Sequence, residues 1–281
     1  SVAIYIFEAQ IFEKSAPISV SKGRFFPHLA NDLPTIIDRI SARPVRYAEP
    51  NFLNYSLKWS DMITLHHLEQ SRSQRIVWLL ESLAIPYQLV RHQRDPKTKL
   101  APRELKQIHS LGKAPVIEDG DIVIAESGAI IEYLLDTYGN GSLVPETAKA
   151  KSLYRYWMHY AEGSLMPPLV MSLIFSKVPE SPMPFFIRPL ARKLMEGVRQ
   201  QFLAPQLRDH FAMIDNHLAQ HTWLCGEQVT AADIQMSFPL LAARKQLNTE
   251  HHANIFRYLE QIEQQPGYQN ALCVVGPLKT L

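Results

Sequence analysis

Four short clusters in the chain gather side chains that could do chemistry. The run Leu68-Glu-Gln-Ser-Arg-Ser-Gln-Arg75 sets two hydroxyls, Ser71 and Ser73, just ahead of an apolar-periodic segment. A hydroxyl at a helix start can hydrogen-bond an anion that the helix dipole also favours. The spacing Ser71-x-x-Gln74 is also that of a capping box, and the pattern alone favours the cap. Gly112-Lys-Ala-Pro-Val116 places Lys113 and Pro115 before a strand, where a solvated lysine and an edge-strand proline are the plain readings. Ala125-Glu-Ser-Gly-Ala129 lies where a strand feeds a helix, so Ser127 could cap that helix and Glu126 complement its dipole. Tyr156, Tyr160 and Ser164 recur every four residues and share a helix face, a pattern usual for core or subunit contacts. No metal centre is expected. Cys225 and Cys273 have no partner at ligand spacing, and the neighbours in His66-His67 and His251-His252 point apart.

These clusters need a scaffold, and the hydrophobic periodicity supplies one. A strand is expected at 62–66 and a helix at 71–84, whose Ile76, Leu79, Leu80 and Leu83 form one apolar face. A second strand at 86–90 follows so closely that the first two strands should be parallel. A short helix at 102–109 precedes strands at 115–118 and 122–125, joined by the turn Asp119-Gly120-Asp121. A helix at 127–138 ends at Gly139. The order is βαβαββα, an α/β sandwich. Residues 141–146 read as a linker. Beyond them the pattern is helical: 148–175 with a kink forced by Pro167-Pro168, a proline-bearing loop after Val178, and helices at 190–221, 234–247 and 254–264. Thr230-Ala-Ala-Asp233 is a capping pattern ahead of the helix at 234–247, and Pro266-Gly-Tyr268 opens a last short helix.

Composition narrows the class. The 281 residues are 46% apolar and 20% charged, ordinary for a globular chain. With Lys plus Arg at 29 against Asp plus Glu at 27, the net charge of +2 is far from that of a dedicated nucleic-acid binder. No apolar run approaches the roughly 18 residues of a membrane span. Two cysteines cannot form a disulfide framework and suit a reducing, cytoplasmic setting. Residues 1–61 read differently from the rest. Five prolines interrupt them, no basic segment precedes the apolar start, and all eight methionines lie at 62 or later. We expect an extension at 1–61, an α/β domain at 62–143 and an all-helical domain at 147–281.

The motifs at 68–75, 112–116 and 125–129, in that order, with Gly226-Glu-Gln-Val-Thr-Ala-Ala-Asp-Ile234 downstream, resemble those of cytosolic glutathione transferases. The Ser-bearing first motif is similar to the serine-type classes, theta-like and fungal or bacterial relatives included. The resemblance implies a thioredoxin-like domain (βαβαββα) plus an all-α domain, in a homodimer. It implies glutathione as co-substrate with no cofactor, and a small apolar electrophile as second substrate. Ser71 is then the expected thiolate activator, with Ser73 as runner-up. Pro115 would be cis and Val116 would pair its backbone with the cysteinyl unit of glutathione. Glu126 and Ser127 would take the γ-glutamyl ammonium and carboxylate, and Lys113 the glycyl carboxylate. Tyr156, Tyr160 and Ser164 are candidates for the electrophile pocket. Peroxide reduction by the same thiolate is a related activity. A binding or regulatory protein of the same fold, without turnover, is the alternative.

Overall fold

The computed structural model of the protein describes residues 62–278 other than 97 and 99, so the extension expected at 1–61 lies outside the described residues. Strand β1 (Ile63–Leu68) leads into helix α1 (Ser73–Ser82), β2 (Tyr87–His92), the short α2 (Leu105–Ile108), β3 (Val116–Asp119), β4 (Ile122–Ala125) and α3 (Ser127–Tyr138). The four strands form one mixed sheet in the order β2-β1-β3-β4. β1 and β2 are parallel, as the short β-α-β spacing requires, and both β1–β3 and β3–β4 are antiparallel. Asp119 pairs with Ile122, and Gly120 makes the turn between them at φ +60°, a conformation a side chain would oppose.

Helix α1 begins two residues later than the hydrophobic pattern suggests. Its N-cap position is Arg72, without a side-chain cap, and the expected Ser71–Gln74 capping box does not form. The Gln74 amide instead donates to the Gly276 carbonyl at 2.9 Å, near the C-terminal end. Of the backbone N–H groups the Ser71 hydroxyl oxygen accepts only that of Ser73, at 3.2 Å, and the fully buried Ile76, Val77, Leu79 and Leu80 supply the apolar packing that holds the helix.

The helical region contains α4 (Ala148–Tyr160), α5 (Met166–Lys177), α6 (Arg188–Val198), α7 (Ala204–Leu218), α8 (Ala231–Ala243), α9 (Ala253–Glu263) and α10 (Pro266–Val275). The interruption expected at Pro167-Pro168 takes the form of a wide, π-helical turn, Ala161–Leu165, where the Met166 N–H reaches back five residues to the Ala161 carbonyl. A second such turn, Arg199–Leu203, precedes Pro205. Proline has no N–H and its ring crowds the carbonyl four residues back, so a widened turn lets the chain continue in helix.

At α8 the capping pattern forms as expected. Thr230 and Asp233 make a reciprocal box. Every residue of α8 except Phe238 is buried, which makes it the central helix. The last helix, expected to be short, runs ten residues and lies along α1. Gly267 permits the approach: a Cβ there would come within 2.1 Å of Ser82 Oγ. Trp78 and Tyr268 meet edge to face at 5.2 Å beside it.

Candidate functional site

A cavity of about 540 Å³ separates the end of the sheet from α5. Its sheet-side wall is built by loops and helix starts: Arg72 before α1, His109 and Leu111 after α2, Lys113, Ala114 and Pro115 before β3, and Ala125, Glu126 and Ser127 between β4 and α3. Its other wall is Glu162, Met166, Pro167, Val170, Met171 and Ile174. One side offers charge and backbone; the other offers apolar surface with a single carboxylate.

Each polar position has a local cause. The Ala114–Pro115 peptide bond is cis, at the entry to β3. Glu126 has φ +70°, an unusual conformation for a residue with a side chain, and turns the chain from β4 directly into α3. It occupies the N-cap position but its side chain makes no cap, and Ser127 follows as the first helical residue, buried. The cap expected of Ser127 is therefore absent, and the first N–H groups of α3 lack intrahelical acceptors. Lys113 has no ion-pair partner among the described residues.

The expected site residues divide. Lys113, Pro115, Glu126 and Ser127 meet on the cavity wall. Val116 does not fit its expected role. It is fully buried and registered against His66 on one side and Ala125 on the other, so its backbone has no open edge. Ala114, across the cis bond, is the residue that faces the cavity. Tyr156, Tyr160 and Ser164 do not line it either. Tyr156 stacks on Tyr160 at 5.5 Å, and the Tyr160 hydroxyl pairs with His210 Nδ1 of α7. Of the three only Tyr160 is buried in the helical packing, Tyr156 being exposed, and the cavity receives the next stripe, Met166, Val170 and Ile174.

Ser71 and Ser73 flank Arg72 in sequence, but neither lines the cavity. Ser73 is 0% exposed and Ser71 7%. Ser71 Oγ lies 2.8 Å from Ser73 Oγ, which lies 2.8 Å from His67 Nδ1. Burial, with Arg91 and His92 nearby, lowers the His67 pKa to about 4, so the ring is neutral at pH 7.

An ion-pair cluster that the sequence did not disclose closes one end of the cavity. Glu162 accepts both Arg72 Nε bonds at 3.0 Å and also pairs with Arg75. Arg75 is buried, donates to the Gln235 carbonyl at 2.6 Å, and shares the face of Phe238 with Arg72. Burial lowers the Arg75 pKa to about 10, while Glu162 is held below its ordinary value because the two guanidinium groups outweigh its own burial. The partners are 87 and 90 residues apart in sequence, and no local spacing announces them. Neither cysteine lines the cavity, and burial pushes the Cys225 thiol up to about 12. Among the described residues no group of His, Cys, Asp or Glu could hold a metal ion, and no helix is long and apolar enough to cross a membrane.

The fold and the site define the class: a thioredoxin-type sheet unit joined to a helical region, with a cavity that is polar on the sheet side and apolar on the helical side. The comparisons agree. Residues 60–136 match the family model "Glutathione S-transferase, N-terminal domain", and residues 166–266 match "Glutathione S-transferase, C-terminal domain". The chain is 37% identical over 209 residues to Glutathione S-transferase 3 of Schizosaccharomyces pombe, covering 73% of this chain and 85% of that one. It is 36% identical over 217 residues to Glutathione S-transferase 1 of Saccharomyces cerevisiae, covering 74% and 92%. A crystal structure of a glutathione S-transferase from Actinobacillus pleuropneumoniae superposes with a TM-score of 0.62 at 38% identity, over 78% of this chain and 95% of that one. The chain belongs to the glutathione S-transferase family, and is a transferase whose co-substrate is glutathione.

Proposed function

We propose that the protein is a serine-type transferase that adds the glutathione thiolate to small apolar electrophiles. The observation that carries this reading is the single cavity in which Lys113, Pro115, Glu126 and Ser127 face Met166, Val170 and Ile174. Glutathione is a charged peptide, and the sheet-side wall matches it group by group. The α3 N-terminus and Ser127 suit the γ-glutamyl carboxylate, Glu126 its ammonium, and Lys113 the glycyl carboxylate. Ala114 and Pro115 flank the place for the cysteinyl unit. The apolar wall suits the electrophile, and peroxide reduction would use the same thiolate against an O–O bond.

The chemical requirement is a thiolate near neutral pH. A thiol of pKa about 8.5 must be lowered by about 1.5–2 units, which takes roughly 2–3 kcal/mol of differential stabilisation. Ser71 supplies it by a hydrogen bond at the start of α1, where the helix dipole adds to it. Ser73 is fully buried with its Oγ 2.8 Å from that of Ser71, and in this reading it supports Ser71 rather than touching the sulfur. The working form is a cytoplasmic homodimer, its chains divided into the domains 62–143 and 147–281.

Turnover of an aryl halide, an isothiocyanate and an organic hydroperoxide by the purified protein tests the reaction. The expected result is conjugation of at least one of the first two. Absence of turnover with all three, alongside retained glutathione binding, would favour a binding protein instead. Light scattering is expected to give twice the chain mass of 32.1 kDa.

A further inference from the structure

Behind Ser71 lies a chain of hydrogen bonds whose direction matters. Ser73 Oγ is 2.8 Å from both Ser71 Oγ and His67 Nδ1. It also accepts from the Leu68 N–H at 3.3 Å, and Ser71 Oγ accepts from the Ser73 N–H at 3.2 Å. Each hydroxyl has one proton and two lone pairs. The proton count therefore allows two arrangements.

If His67 Nδ1 is bare, Ser73 gives its proton to the ring and Ser71 gives its proton to Ser73. Nothing is then left to donate outward. If His67 Nδ1 carries the ring proton, it donates to Ser73, and Ser73 donates to Ser71. The Ser73 oxygen is then filled by the His67 and Leu68 N–H groups. The Ser71 oxygen is filled by the Ser73 N–H and O–H. One proton in the whole chain remains unspent, that of Ser71. The Leu68 carbonyl, at 3.3 Å, is a longer and weaker alternative for the Ser73 proton than Ser71 at 2.8 Å.

We propose that His67 is a positioning residue for the reaction: as an Nδ1–H donor to Ser73 it turns the Ser71 proton outward, toward the sulfur of bound glutathione. The proposal rests on Ser71 as thiolate activator and extends it by two residues. His67 stays neutral at working pH because burial, Arg91 and His92 keep it so. It therefore has one ring proton to place. An anion beyond Ser71 favours the arrangement that leaves the Ser71 proton free, and each bond in the row polarises the next.

The test is the absorbance of the bound glutathione thiolate against pH, in the full chain, for the parent, Ser71→Ala, Ser73→Ala, His67→Phe and His67→Asn. His67→Phe and Ser73→Ala are each expected to raise the thiol pKa by about half a unit to one unit, a threefold to tenfold loss of thiolate well below that pKa, with glutathione affinity little changed. His67→Asn, whose amide can donate from near the Nδ1 position, should recover most of that loss. Adding His67→Phe to Ser71→Ala should shift the pKa no further. A shift with Ser71→Ala but none with His67→Phe or Ser73→Ala would overturn the relay and leave the activator standing. No shift with Ser71→Ala would overturn both. Ser73→Ala breaks the same row without altering the strand, so it decides the matter should His67→Phe fail to fold.

Discussion

At the start of α8, Thr230 and Asp233 turn toward each other; at the start of α1, Ser71 and Gln74 turn apart. Both sites begin as a hydroxyl followed three residues later by a polar side chain. At α8 the Asp233 carboxylate takes the Thr230 N–H at 2.7 Å, its hydroxyl at 2.9 Å, the Leu224 N–H at 3.0 Å and the Tyr258 hydroxyl at 2.9 Å. Every polar atom there is spent on holding the helix. At α1 Gln74 leaves for Gly276, and Ser71 Oγ accepts the Ser73 N–H at 3.2 Å and pairs with the Ser73 hydroxyl at 2.8 Å. The difference is one of surroundings. Asp233 is wholly buried, where an unsatisfied group is costly. Ser71 adjoins Arg72, which lines the cavity, and in the proposed function the Ser71 hydroxyl serves the bound glutathione.

The contrast makes four predictions. The largest effect is expected at the committed site: Asp233→Ala should cost about 3 kcal/mol or more, read from urea unfolding, because it strands several buried donors. A cost no greater than that of Ser71→Ala would erase the contrast. Second comes a pH effect under α1. His67 titrates near 4 in the folded protein and 6.5 in the unfolded chain. Between those values the unfolded chain holds the extra proton, so the contribution of His67 is present above pH 6.5 and is lost as pH falls toward 4. The loss should reach up to about 3 kcal/mol, and His67→Phe should flatten that part of the stability–pH curve.

Third, Thr230→Ala and Ser71→Ala should each cost about 1 kcal/mol, but only Ser71→Ala should raise the pKa of bound glutathione. Equal pKa behaviour would mean that Ser71 is structural after all. The smallest effect belongs to Gln74→Ala. It should cost about 0.5–1 kcal/mol and speed amide exchange at the end of α10, leaving the thiol pKa where it was.

What could be read ahead of the structure follows the same division between local and distant. The sheet unit was legible because a period of 3.6 at Ile76, Leu79 and Leu80, a short β-α-β step and the Asp119-Gly120-Asp121 turn are all settled by near neighbours. Lys113, Pro115, Glu126 and Ser127 each sit in a short motif at an element boundary, but their local pattern read only as turn, edge and cap residues; the family resemblance of the motifs singled them out as a group, and the cavity wall brings them together. Ala114 was passed over for Val116 because the spacing around a proline does not say which side has a free backbone. That is fixed by pairing with two other strands. The Arg72–Glu162–Arg75 cluster joins segments that only the folded chain brings together. The His67–Ser73 bond spans six residues, yet it needs the strand-to-helix turn to exist before the two can meet.

The widened turn at Ala161–Leu165 has a consequence for how the apolar wall is aimed. A π turn is equivalent to one residue inserted in a regular helix, and one residue is about 100° of rotation. It acts as a phase shifter between α4 and α5, so the azimuth of Met166, Val170 and Ile174 is set independently of that of Tyr156 and Tyr160. Removal of one residue from this turn would re-index every side chain downstream of it. The cavity would then be faced by a different facet of α5, while Lys113, Ala114 and Ser127, on the opposite wall, would keep their places.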